Sequence, residues 1–151
     1  MTNEEYRAII TKAIANETEA YEFYKGVAEK SGDQTVKVMF GQFATEELGH
    51  QKMLQSFLDG KVTTFHFNES VDYKFSETVD KPALSLEMKP KEALALAMKN
   101  EEEAMRMYEE LAAASTSPEQ KKLFQELALM EKGHKSRMED HYMNVAFAEV
   151  W

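Results

Sequence analysis

Cysteine is absent from this 151-residue chain. Disulfides, zinc ribbons, iron–sulfur clusters, thiolate nucleophiles and any iron held by four thiolates are therefore excluded. Proline and glycine are scarce, at three and six residues, which excludes collagen-like and low-complexity chains and leaves few breaks for helices. An excess of positive charge is missing too. Lys and Arg number 18 against 27 Asp and Glu, a net charge of −9. A nucleic-acid or anionic-membrane partner, which needs a Lys/Arg surface, is not expected. No apolar run reaches the ~18 residues of a membrane span. The opening Met1-Thr2-Asn3-Glu4-Glu5-Tyr6 has neither the basic nor the apolar region of a signal peptide. The expected location is the cytoplasm.

What is present favours helix. Hydrophobic residues make up 43% and charged residues 30% of a 17.3 kDa chain, enough for one core without staples, so a single domain over 1–151 is expected. Thr2-Asn3-Glu4-Glu5 fits a capping box, and helix 1 follows over about 3–30, stopping at Ser31-Gly32-Asp33. Asp33 is placed to cap helix 2, about 34–58, which ends at Asp59-Gly60. Helix 3 covers about 90–114. Ser117-Pro118-Glu119-Gln120 then sets a cap and an N1 proline for helix 4, about 118–146. Residues 59–89 carry Val62, Phe65, Phe67, Val71, Tyr73 and Phe75 without a 3.6-residue period. So long a connection needs a reason. A bundle whose middle helices run parallel supplies one, because the chain must then cross its full length, ~37 Å for such helices.

A shift of 84 positions lays the first half on the second. Asn16-Glu17-Thr18-Glu19-Ala20 falls on Asn100-Glu101-Glu102-Glu103-Ala104, and Tyr24 falls on Tyr108. Glu47-Leu48-Gly49-His50 falls on Glu131-Lys132-Gly133-His134. Over the aligned helices 14 of 41 positions are identical, where composition alone gives about 2 or 3. The halves read as a duplicated helical hairpin.

The shared polar residues lie on core-facing stripes. Helix 1 gives Ile10, Ala13, Glu17, Ala20, Tyr24 and Val27; helix 2 gives Val36, Phe40, Phe43, Glu47, His50, Leu54 and Phe57. Helix 3 gives Leu94, Ala97, Glu101, Ala104, Tyr108 and Leu111; helix 4 gives Phe124, Leu127, Glu131, His134, Met138, His141 and Val145. Each apolar stripe is interrupted near its middle by a carboxylate. Four such carboxylates facing one another in a core would repel and lose hydration, and a pair of divalent cations neutralises them. The i, i+3 spacing of Glu and His lets both grip one ion. Oxygen donors with one nitrogen per metal suit iron or manganese better than zinc or copper.

A Glu from each of two helices, with Glu-x-x-His from each of the other two, resembles the ferritin-like di-iron proteins. The short length, the long crossover and the Asn-Glu-x-Glu-Ala segment followed by Tyr are most similar to the rubrerythrins. The resemblance implies an all-α, ferritin-like four-helix bundle with a long crossover between helices 2 and 3. It implies two iron ions, with manganese as the alternative. Glu17 and Glu101 would be terminal ligands, Glu47 and Glu131 would bridge the metals, and His50 and His134 would bind one metal each. The implied activity is an oxidoreductase of peroxidase or oxidase type, with O2 or H2O2 as substrate, an external electron-donor protein and a homodimeric assembly. Two features depart from the pattern. No cysteine is present for a rubredoxin-type domain, and Ala104 stands where rubrerythrins carry an extra carboxylate ligand, which makes the set more symmetric. That symmetry keeps ferroxidase and iron storage open, beside a metal-stabilised binding module without catalysis.

Other residues carry weaker signals. Tyr24 and Tyr108 read either as core aromatics or as hydrogen-bond donors to the bridging carboxylates. Ala20 and Ala104 are either packing or space beside the metals. His141 lies one heptad, ~10 Å, beyond His134 and is too far to be a ligand. His66 is not expected to be one either. The ten Met residues read as core filling. Glu102 and Glu103 point ~100° and ~200° away from Glu101 and are expected in solvent. The near-equivalence of the halves predicts that mirrored substitutions behave alike.

Overall fold

The computed structural model describes residues 3–60, 69–74, 76–82 and 89–150, without the side chains of positions 3, 6 and 146–150. Four long helices are present: α1 (Asn3–Lys30), α2 (Gln34–Leu58), α3 (Pro90–Ala114) and α4 (Pro118–Val150). A short 3-10 turn, η1 (Ser76–Thr78), lies in the connection between α2 and α3. No strand occurs among the described residues. The fold class is all-α, that of four-helix bundles. No helix among them is long and apolar enough to cross a membrane.

Local chemistry explains the boundaries. Asp33 sits in extended backbone before α2, and its Oδ1 accepts from the Val36 N–H at 3.1 Å. That satisfies one of the amides that every helix start leaves unpaired. Past Leu58 the chain turns at Gly60, whose φ of +75° is left-handed and costs a residue without Cβ little. Pro90 and Pro118 open α3 and α4, where a missing N–H loses no bond. Ser117 Oγ caps α4 by accepting from the Gln120 N–H at 3.5 Å. α4 continues to Val150, four residues past the stop read near Ala146. Nothing between those positions is Gly or Pro, so the helix has no breaker there.

The chain forms two compact units, Met1–Thr64 and Phe65–Trp151. In the first, α1 packs on α2 through Ile10, Ala13, Tyr24, Val36, Phe40, Phe43 and Leu54, all buried. In the second, α3 packs on α4, and η1 packs on α3. Every residue from Ala93 to Met98 is buried, off-stripe Ala95 and Leu96 included. Phe65, His66, Phe67 and Phe75 of the connection, and the Thr2 cap, lie outside the described residues.

Candidate metal centre

In the α1–α2 unit the candidate ligands sit where the stripes put them. Glu17 and Glu47 are buried, and His50 is half-buried. Glu17 Oε2 is shielded from solvent and has no hydrogen-bond partner among the described residues. A buried carboxylate oxygen left that way is costly unless a cation meets it. One heptad along, the Tyr24 ring meets Phe40 and Phe43 edge-on, with centroids 5.7 and 5.8 Å apart. These three rings close the core beside Glu17, so Tyr24 fills space whatever its hydroxyl does.

The α3–α4 unit gathers its ligands more tightly. Glu101, Glu131 and His134 are all buried. His134 Nδ1 lies 3.4 Å from Glu101 Oε2 and 3.5 Å from Glu131 Oε2. All three offer ligand atoms within 4.8 Å of one another. In the mirrored trio Glu47 and His50 offer ligand atoms within 4.8 Å of each other, but Glu17 is not grouped with them. The repeat is therefore symmetric in sequence and asymmetric in space. Tyr108 is buried; Ala104, like Ala20, is half-buried. The donor set is oxygen with nitrogen and no sulfur, and its charge is negative, so it fits a hard divalent cation such as iron or manganese.

One expectation near the site is overturned. Glu102 is buried rather than in solvent, and the ions that keep it there are Lys99 at 2.9 Å and Arg106 at 3.3 Å. Burial raises its pKa, but hydrogen bonds from Lys99 and Arg106, helped by their charge, outweigh it and hold the carboxyl below its ordinary value. Glu102 points away from the α3–α4 seam, yet on that side of α3 the connection is fastened to Lys99 and Arg106. Glu103 is exposed, as expected, and pairs with Lys81 at 3.1 Å. His141 is half-buried, with its pKa lowered chiefly by burial and then by Arg137, against Asp140.

A second buried polar group lies off the apolar stripe of α4. Lys135 and Glu139 are both fully enclosed. Lys135 Nζ lies 2.5 Å from Asp72 Oδ1 and 3.4 Å from both Glu139 oxygens. The i, i+4 spacing of Lys135 and Glu139 was visible in the sequence. Their burial was not, because Asp72 and Ser76, which meet them, belong to a connection whose sequence carries no helical period.

Buried carboxylates and a buried imidazole carried on long helices, with no thiolate, make this an all-α protein with candidate metal-ligand groups in its core. The family model described as Rubrerythrin matches residues 8–142, so the chain belongs to the rubrerythrin family. No curated protein and no solved structure matches it.

Proposed function

We propose that this chain is a di-iron oxidoreductase that reduces O2 or H2O2 with electrons from an external donor protein. The observation that carries the reading is the buried Glu101, Glu131 and His134 trio in a chain of the rubrerythrin family. The family's ligand pattern falls on Glu17, Glu47, His50, Glu101, Glu131 and His134, which would hold the pair of ions. Bound iron supplies reversible one-electron chemistry and open coordination positions for a small oxidant.

The chain's own residues do the rest. Buried carboxylates cancel the cations' charge, and the apolar stripes around them keep bulk water out. In the second unit, contact with both Glu101 and Glu131 fixes the His134 ring orientation. Tyr24 and Tyr108, one heptad from Glu17 and Glu101, are the groups we propose as hydrogen-bond donors to the carboxylates.

Protein purified without added metal should carry iron by elemental analysis. Reduced anaerobically and mixed with H2O2, it should consume one peroxide per pair of irons oxidised. Inertness of the reduced, iron-loaded protein towards both O2 and H2O2 refutes the reading. Elution as a cage-sized particle on gel filtration would instead identify ferroxidase and storage, which the symmetric ligand set at Ala104 favours. A firmly held but redox-silent metal would mark a binding module.

A further inference from the structure

In the α3–α4 unit the connection between α2 and α3 is fastened to both helices at Ser76. This residue is fully buried, and its backbone bridges both helices. Its N–H donates to Glu139 Oε2 on α4 at 2.9 Å, and its C=O accepts from Lys99 Nζ on α3 at 2.6 Å. Lys135 holds Glu139 and Asp72 together, Asp72 also accepts from the Lys74 N–H at 3.0 Å, and Arg106 holds Glu77 at 2.8 Å. Asp72, Ser76 and Glu77 are thus fastened to α3 and α4 at once.

The position of this clamp matters. The α3–α4 turn lies about 20 Å along the axis from Glu101 and Glu131, too far to set their spacing closely. Ser76 closes the other side. Lys99 precedes Glu101 by about 3 Å of helix rise, and Glu139 follows His134 by about 7 Å. The ligands therefore lie between two fixed points. Buried ion pairs of this kind add little net stability compared with apolar packing. Their effect is to select one geometry.

The first half of the repeat lacks every part of the clamp. At the positions mirroring Lys99, Lys135 and Glu139 stand Ala15, Gln51 and Gln55, and Thr18 replaces Glu102. The repeat is broken at the residues that fasten the connection and preserved at the ligands.

Resting on the metal-centre reading above, we propose that the clamp makes the α3–α4 unit a preorganised site for one divalent cation. That site loads before the ligands of α1–α2, with Lys135 and Glu139 acting as positioning residues. The test is a titration of the metal-stripped full chain with Mn2+, following free Mn2+ by its EPR signal. The wild type should bind in two resolved steps. His134→Ala should remove the tighter step, and His50→Ala should leave it intact. Lys135→Met should weaken only that step, by about tenfold or more as expected for groups that orient ligands, with helical circular dichroism unchanged. Asp72→Asn, a milder cut at a partly exposed carboxylate, should act in the same direction and keeps the test alive if Lys135→Met fails to fold. The mirrored Gln51→Met should change neither step. Two equal steps, loss of the tighter step in His50→Ala, or equal weakening of both steps by Lys135→Met and Asp72→Asn overturns the proposal. Failure of the wild type to bind Mn2+ at all overturns the metal-centre reading with it, so the two failures are distinct.

Discussion

Identical residues in mirrored positions meet different surroundings. His50 and His134 share a Glu-x-x-His motif, but the first is half-buried and the second enclosed between Glu101 and Glu131. Mirrored substitutions should therefore differ in effect, contrary to what the duplicated sequence predicts. His141 offers a simple check. Its pKa is lowered from 6.5, mainly by burial, so the neutral ring is favoured in the native state. That contribution to stability is whole above pH 6.5 and is lost as pH falls from there through the lower folded value. In an NMR titration its midpoint should lie below 6.5. Asp72 gives a second check. Burial raises its pKa, but the Lys135 hydrogen bond, the Lys74 amide and the charges of Lys135 and Lys132 more than reverse this and lower it from 3.8. Its ion pair is then fully stabilising above the unfolded value and fades as pH falls through the folded one. Asp72→Asn should lower stability by about 2 kcal/mol at neutral pH. In melts at successively lower pH, the gap to wild type should close below about pH 4.

At the scale of helices, boundaries follow local chemistry and lateral cover does not. Asp33 does at the start of α2 what its position in Ser-Gly-Asp predicts. Asp33→Ala should cost about 1 kcal/mol, read as a lower denaturant midpoint at unchanged slope. α3 shows the converse. Its 3.6-residue stripe marks one buried face, but η1 packs on α3 at Lys99 and Arg106, and Glu102, which pairs with both, is enclosed as well. Periodicity reports the neighbour that makes the longest contact. A short irregular segment leaves no period of its own.

At the scale of the whole molecule the expected behaviour is that of a chain completed by metal. Stripping the metal should lower the melting temperature, because ligands that bind only the native state stabilise it by mass action. Glu47→Ala should bind less metal yet melt no lower than the metal-free wild type, since it replaces one of several carboxylates buried in the core by an apolar group. A variant that melts well below metal-free wild type and keeps full metal binding would show that Glu47 serves packing instead. The exposed Val71 and Tyr73 of the connection add apolar surface, and sedimentation should give a homodimer rather than the 17.3 kDa chain mass.

The helices, the caps at Asp33 and Ser117, the duplication and the candidate ligand types are legible in the chain alone, because each rests on interactions within a few residues or on a spacing that repeats. Glu17, Glu47, Glu101 and Glu131 were legible as buried carboxylates since a helical stripe with one charged member has no other simple reading. Tertiary structure decided the inequality of the halves. Lys135, Glu139 and Ser76 became a clamp only when a connection without periodicity settled on α3 and α4, and contacts between residues 63 positions apart leave no local mark on either partner. Glu102 shows the same limit. A helix fixes the direction a side chain takes, and the rest of the chain fixes whether water or an ion pair waits there.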